Sequence, residues 1–247
     1  MIKGIYHSAA GMIPRMNQLE TVSNNLANAN TTGFKADSRV FRTTLTNQQI
    51  QGSPSGGPVK LSEEQFYLHT DFSQGSLQET RNPLNVAISG NGFFEIGSKE
   101  GGNPVGYSRN GNFSLNEDGE LVNSSGFPVM GEGGIITFSG KDVAITETGD
   151  VVVDGETVDR LKIVDFEQPY KLRRNDFGYF TPEGEQEPIT SENTRILQGF
   201  LEESNVNPVD EMVKMIELNR EFDYCQKAII AQAETLKTGI NEVGRPR

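Results

Sequence analysis

Residues 2–28 read IKGIYHSAAGMIPRMNQLETVSNNLAN, and within them Ile2, Ile5, Ala9, Met12, Met16, Leu19, Ser23 and Leu26 recur at alternating steps of three and four. That rhythm places these positions on a single stripe of an α-helix, with Ser23 its polar member. A second stripe closes the chain: Met212, Met215, Asn219, Phe222, Gln226, Ile229, Ala233, Leu236, Ile240 and Val243. A stripe this narrow is a coiled-coil seam, which its own helix cannot bury. The fold class expected is α+β. Long N- and C-terminal α-helices form a coiled coil, and a mainly antiparallel β domain of sandwich or barrel type is inserted between them. Pro14 interrupts the first helix, and the seam register puts it on the outer face, opposite the apolar stripe. Cys225 falls one residue off the second seam.

Punctuation along the chain divides it into five parts. The first helix runs into Asn24, Asn25, Asn28, Asn30, Thr31, Thr32 and Gly33, where amide and hydroxyl side chains compete for backbone bonds and glycine supplies a left-handed stop. That makes residues 1–35 a helical segment. Residues 36–81 are an extended connector, with a flexible Gly/Pro/Ser loop at 52–58 and short strands at Arg39–Phe41 and Gln65–Leu68. From 82 to 190, short apolar runs alternate with Asn91-Gly92, Asn110-Gly111, Asp118-Gly119 and Asp154-Gly155. These dipeptides suit two-residue hairpin turns, so consecutive strands are expected to pair across each. A return segment, 191–204, leads into the last helix, 205–247. Asn207 as N-cap, Pro208 at the first helical position and Asp210 and Glu211 in the first turn announce that helix.

Of 247 residues, 34% are hydrophobic, none is tryptophan and 14 are phenylalanine. The phenylalanines must supply most of the large core side chains. Residues 1–45 carry more basic than acidic residues and residues 205–247 are close to balance, so the net charge of −12 resides in the middle. An acidic body is the wrong surface for phosphate and excludes nucleic acid as a partner. No run approaches the ~20 apolar residues of a membrane-spanning helix, so no membrane insertion is expected. Lys3, His7, Ser8 and Gly11 break the first apolar stretch, so the N-terminus does not read as a cleaved leader. Cys225 is the single cysteine and has no intramolecular partner.

Chemistry-bearing residues are scattered. His69 and Asp71 share a strand face, but a closed zinc site needs three or four ligands. Glu183, Glu185 and Glu187 alternate in a Pro/Gly-flanked stretch where nothing separates their pKa values. No nucleophile elbow, phosphate loop or paired-histidine helix motif occurs. No catalytic, cofactor-binding or metal-binding residue is expected, and no enzyme activity.

Three longer motifs carry a resemblance. Ser8–Met12 with Asn24-Asn25-Leu26-Ala27-Asn28-Ala29-Asn30-Thr31-Thr32-Gly33-Phe34-Lys35 resembles the N-terminal signature of bacterial flagellar rod and hook proteins. Gln198–Val209 with Glu211–Ile216 resembles their C-terminal signature. Phe72–Leu77, Asn82-Pro83-Leu84 and Gly90–Phe94 are similar to the segments between. The resemblance covers the whole chain. Its length, Asn82-Pro83-Leu84 and the ending Ile240–Arg245 are most similar to members from the proximal rod, although distal rod members share nearly everything else.

The resemblance implies a subunit exported unfolded through the flagellar type III apparatus, without signal cleavage, and assembled in the periplasm into a hollow rod. Its partners would be copies of itself and other rod and hook proteins. The assembly residues implied are the seam positions Ile2, Ile5, Ala9, Met12, Met16, Leu19, Leu26, Met212, Met215, Phe222, Ile229, Leu236 and Ile240. Contacts between subunits would add Asn24, Asn25, Asn28, Asn30, Thr32, Gly33, Phe34, Ser204, Asn205, Val206 and Asn207. Met12, Met16 and Leu19 are expected to meet Met215, Phe222 and Ile229 across the helix pair. Two other classes compete with this reading. One is a carbohydrate-binding or adhesive β-module with oligomerisation helices, for which six scattered tyrosines and no tryptophan offer weak support. The other is a peptidoglycan-remodelling enzyme, for which no acid–base or nucleophile set is visible.

Overall fold

The computed structural model describes residues 2–42, 65–98, 104–140, 142–168, 170–184, 186–191 and 194–243; the side chains of 2–10, 40–42, 65–67, 190 and 239–243 lie outside that description. The chain divides into two compact units. One comprises Met1–Ala29, Lys35–Phe72 and Val206–Arg247, the other Asn30–Phe34 and Ser73–Asn205.

The first unit holds two helices, α1 (Ile2–Ala27) and α2 (Pro208–Val243), and two strands, β1 (Asp37–Arg42) and β2 (Gln65–Thr70). The strands pair antiparallel from Asp37↔Thr70 to Arg42↔Gln65, where the sequence predicted short strands. The predicted loop at 52–58 lies outside the described residues. Helix α2 starts as its sequence dictates: the Asn207 side-chain oxygen accepts the Val209 N–H at 3.1 Å, and its backbone oxygen accepts the Glu211 N–H at 3.1 Å. An Asn N-cap of this kind supplies about 1 kcal/mol to its helix.

The helices run antiparallel, because position numbers that rise along α1 fall in step along α2. Arg15 meets Glu221 at 3.0 Å, Asn25 meets Glu211 at 3.3 Å, and a Cβ on Gly11 would lie 4.0 Å from the Cys225 sulfur. The face that α1 buries is Pro14, Thr21, Val22 and Asn25. Pro14 therefore lies inward, not on the outer face as the seam register required. It has no N–H to satisfy, and its position costs the buried face no donor. Facing it, α2 half-buries Met215, Leu218, Phe222, Cys225, Ile229, Gln232 and Leu236, with Glu211 fully buried at its start. Cys225 is on this line, not beside it. Among the described side chains, four positions of the expected seam have moved back by one residue: Met212, Asn219, Gln226 and Ala233 are exposed, and their preceding neighbours face in.

The second unit is β, and each of its strand pairs is antiparallel. Its largest sheet has six strands in the order Leu172–Arg174, Phe180–Pro182, Gly106–Ser108, Phe93–Ile96, Ile163–Asp165, Ile189–Thr190. A three-stranded sheet orders Glu156–Arg160, Asp150–Val153 and Val143–Ile145. Two-stranded ladders join Val86–Ser89 to Arg195–Gln198, Leu77–Glu79 to Phe200–Glu202, and Phe113–Leu115 to Leu121–Asn123.

Strand Phe93–Ile96 is buried on both faces. On one side Phe94 and Ile96 enter a core with Val86, Ile88, Phe113, Leu121, Val129, Ile136, Val151, Leu161 and Ile196. On the other, Phe93 packs against Phe166, Tyr170 and Phe180 with ring centroids 5.7–6.1 Å apart. Edge-on aromatic contacts of this kind are favourable beyond the area they bury. The phenylalanines fill the role that composition assigned them.

Two of the four expected hairpins form. Asp118-Gly119 joins Phe113–Leu115 to Leu121–Asn123, and Asp154-Gly155 joins Asp150–Val153 to Glu156–Arg160. Asp154 (φ 51°) and Gly155 (φ 92°) are both left-handed, as the tight primed turn requires. Asn91-Gly92 and Asn110-Gly111 do otherwise. Val86–Ser89 pairs with the distant Arg195–Gln198, not with Phe93–Ile96, and Gly106–Ser108 pairs with Phe93–Ile96, not with Phe113–Leu115. At Gly111 the reason is close approach: its oxygen accepts the Val86 N–H at 3.0 Å, and a Cβ there would lie 1.7 Å from the Val86 oxygen.

Two measurements follow. Gly111→Ala should destabilise the protein by about 3 kcal/mol, since backbone must shift to admit the methyl; urea denaturation with an unchanged slope reports it. Hydrogen bonds from Arg160 (2.7 Å) and Thr148 (2.6 Å) hold the Asp150 carboxyl down at about 2. A depressed carboxylate favours the folded state above its ordinary pKa, and that contribution is lost as pH falls towards 2. Carboxyl NMR titration should find Asp150 still ionised at pH 3.

Candidate functional site

Residues of the expected assembly surface fall on two kinds of place in the described structure. On the helices, Met16 is 59% exposed and Met212 is 47% exposed, while Met12, Leu19, Leu26, Met215, Phe222, Ile229 and Leu236 are half-buried. Ile2, Ile5, Ala9 and Ile240 lie on the helices, with side chains outside the described residues. Met16 is thus the most exposed of the three α1 positions expected to meet α2. The sequence did not single out a second outward set on α2: Val209, Val213 and Ile216, exposed to 64%, 50% and 56%. With Met212 they occupy positions i, i+3, i+4 and i+7, one apolar face over the first two turns. Ile13, also outward at 58%, extends the exposed apolar surface of α1.

The asparagine-rich motif is used inside the subunit. Asn25, 3% exposed, donates to the Asp37 oxygen at 2.8 Å and accepts the Asp37 N–H at 2.9 Å. Its amide thus imitates one rung of a β-ladder and fixes β1 to α1. The same amide nitrogen reaches Glu211 of α2, whose other oxygen accepts from Lys214 at 2.7 Å. Arg39 adds bonds to Thr21 (2.8 Å) and Glu20 (3.1 Å), and Thr70 donates to the Asp37 carboxylate at 2.7 Å. Asn28 folds back on the helix end, donating to the Asn24 oxygen at 2.9 Å, while Asn24 and Asn30 are exposed. Asn207 is the N-cap of α2, and Val206 beside it is buried.

In the second unit Thr32 donates to the Asn110 side chain at 2.8 Å, and the Gly33 N–H donates to the Glu202 oxygen at 2.7 Å. Gly33 is left-handed (φ 68°), and a Cβ on it would lie 2.4 Å from the Asn110 nitrogen, so no other residue fits. The Phe34 ring lies 4.3 Å under the Arg174 guanidinium, and its oxygen accepts the Asn205 N–H. The Asn205 side chain donates to Ser73, and Ser204 is half-buried.

Two groups carry more of this site than their sequence context announced. Glu202 is 1% exposed; one oxygen accepts from Arg109 at 3.4 Å and the other accepts the Gly75 N–H at 3.0 Å. Arg109 is 3% exposed, lies over the Phe93 ring at 5.1 Å, and has its pKa lowered by burial against the opposing pull of Glu202. Breaking such a pair leaves an uncompensated buried charge. Lys35, at the end of the motif, has no exposed surface at all. A charge inside a β-rich stretch reads as a solvated position, and only the fold reveals its burial. Among the described residues no group of three or more His, Cys, Asp or Glu is placed to hold a metal, and no helix is long and apolar enough to cross a membrane.

With the geometry of the helices and of the motif in place, family models match this chain at both ends and between them. Residues 5–35 match "Flagella basal body rod protein", residues 87–153 "Flagellar hook protein FlgE/F/G D1 domain", and residues 197–242 "Flagellar basal body rod FlgEFG protein C-terminal". Whole relatives align end to end. The flagellar basal-body rod protein FlgF of Rhizobium meliloti is 31% identical over all of both chains, and that of Caulobacter vibrioides is 30% identical over 99% of each. The rod protein FlgG of Buchnera aphidicola is 32% identical, covering 96% of this chain and 98% of its own. The chain belongs to the flagellar basal-body rod protein family, and its place is the basal body.

Removing the clamp gives a direct test of the motif's internal role. Asn25→Ala should lower stability by about 2 kcal/mol, because the half-buried Asp37 backbone and the buried Glu211 both lose the amide. Hydrogen exchange at the Asp37 amide should speed up with it.

Proposed function

We propose that this chain is a structural subunit of the basal-body rod that polymerises through its terminal helices into a hollow drive shaft, in the proximal segment. The observation that carries the assembly reading is the outward apolar face of Val209, Met212, Val213 and Ile216. A contiguous exposed apolar stripe on a helix is an association surface. Ile13 and Met16 supply a second such face on α1. In the polymer the two terminal helices of each subunit form a coiled coil through the seam positions from Ile2 to Leu26 and Met212 to Ile240, and the outward residues meet neighbouring subunits. Asn24 and Asn30 supply polar contacts between subunits. Copies of this chain and other rod and hook proteins are the partners, and the flagellar type III apparatus exports the unfolded chain to the periplasm. Its work is mechanical, and it catalyses no reaction.

The proximal placement rests on the resemblance of the chain's length, Asn82-Pro83-Leu84 and its final helix. Gene deletion followed by microscopy of isolated basal bodies tests it: loss of the proximal rod supports the placement, whereas a rod shortened only at its outer end reassigns the chain to the distal segment.

Assembly itself is tested with Met212→Glu/Ile216→Glu. Surface positions tolerate such changes within about 0.5 kcal/mol, so the thermal midpoint should hold while polymerisation, followed by light scattering, is lost. Polymerisation at the wild-type rate would remove this face from the assembly.

A further inference from the structure

Among the described residues, two that are not glycine have positive φ, Arg81 (59°) and Asp154 (51°). Asp154 has a local reason, since it occupies a primed hairpin turn and its carboxylate accepts the Asp142 N–H at 3.3 Å. Arg81 has none of that kind. The left-handed region is open to glycine and strained for arginine, whose Cβ crowds the following carbonyl.

What holds Arg81 there is everything except its side chain. The N–H groups of Thr80 and Arg81 both donate to the Gly199 oxygen, at 2.7 and 3.2 Å, and the Thr80 hydroxyl donates to it at 3.1 Å. Gly199 in turn donates to the Asn85 oxygen at 2.8 Å, and the buried Asn85 side chain donates to the Thr80 hydroxyl at 2.8 Å. The guanidinium itself is 87% exposed, with a 3.4 Å contact to Glu79, whose side chain is 58% exposed. Exposed pairs of that sort contribute next to nothing to stability. The strand leading into the turn, Leu77–Glu79, is exposed at all three residues. A well-buttressed turn thus presents an arginine in a strained conformation whose side chain makes only an exposed contact with Glu79. Strain that persists without a folding return marks a residue kept for an interaction.

A guanidinium seeks carboxylates, and this chain carries 34 acidic against 22 basic residues, with the excess in its β-rich middle. We propose that Arg81 is a docking residue whose guanidinium pairs with carboxylates on the β-rich body of a second copy of this chain when subunits associate. The inference rests on the assembly reading above.

The test uses the full chain, with Arg81→Gly and Arg81→Glu compared with wild type by thermal unfolding and by sedimentation of self-associated protein. Arg81→Gly should leave the midpoint unchanged or raised while weakening association about threefold, the scale of one exposed charge pair. Arg81→Glu should weaken it about tenfold through like-charge contact, and the deficit of both should shrink in about 0.5 M salt. A lowered midpoint in Arg81→Gly would show that arginine serves the fold and would overturn the proposal, as would undiminished association in either variant. The two readings fail separately. If wild type associates, the Met212→Glu/Ile216→Glu variant does not, and the Arg81 variants match wild type, only the Arg81 proposal falls. If wild type remains monomeric, both fall.

Discussion

One side-chain amide decides how the helical unit presents itself. Asn25 closes two hydrogen bonds with the backbone of Asp37 and a third with Glu211, and it does so while 3% exposed. Rotating α1 away from this geometry would break all three bonds and leave the buried Asn25 amide and Glu211 carboxylate without each other. The rotation of the helix about its axis is therefore fixed by a polar clamp, and the apolar residues take whatever faces remain. That is why Pro14 lies inside and Met16 outside. The subunit uses its amide-rich motif to hold itself in shape and leaves methionine, valine and isoleucine for the surface.

The β unit follows a different logic. Its centre is the strand Phe93–Ile96, buried on both faces, with an aliphatic and aromatic core on one side and an aromatic cluster on the other. Around it the chain makes contacts that its local turns do not foretell. Val86–Ser89 reaches across more than a hundred residues to Arg195–Gln198, and Asn30–Phe34, which follows the first helix, belongs to this unit through Gly33 and Glu202. Long-range pairing of this kind fixes register through the buried faces, since a slip by one residue would exchange the side chains that fill the two packed faces.

A rod subunit has two demands that conflict. It must fold as a defined body, and it must expose apolar surface that a solitary protein would bury. The buried Arg109–Glu202 pair and the Asn25 clamp answer the first with polar contacts that tolerate few alternatives. On the proposed reading, the exposed apolar residues of α1 and α2 answer the second. Membership of the flagellar rod family fits that division, because association supplies the burial that the single chain lacks.

Local rules were enough for the helices at both ends, the Asn207 cap, the stop after Ala27 and the Asp118-Gly119 and Asp154-Gly155 hairpins. Each depends on residues within a few positions of one another, and so does the family signature carried by residues 24–35 and 198–209. Tertiary structure decided which side of each helix faces in, because a 3-4 stripe can be followed along Met212 and Asn219 or along Glu211 and Leu218 with equal periodicity. Contacts with α1, among them Asn25 to Glu211 and Arg15 to Glu221, go with the second of these. It also decided that Asn110-Gly111 is a close crossing and not a hairpin, and that Glu202, Arg109 and Lys35 are buried. Periodicity records neighbours along the chain; burial of a charge and the choice between two helix faces depend on neighbours that arrive from elsewhere.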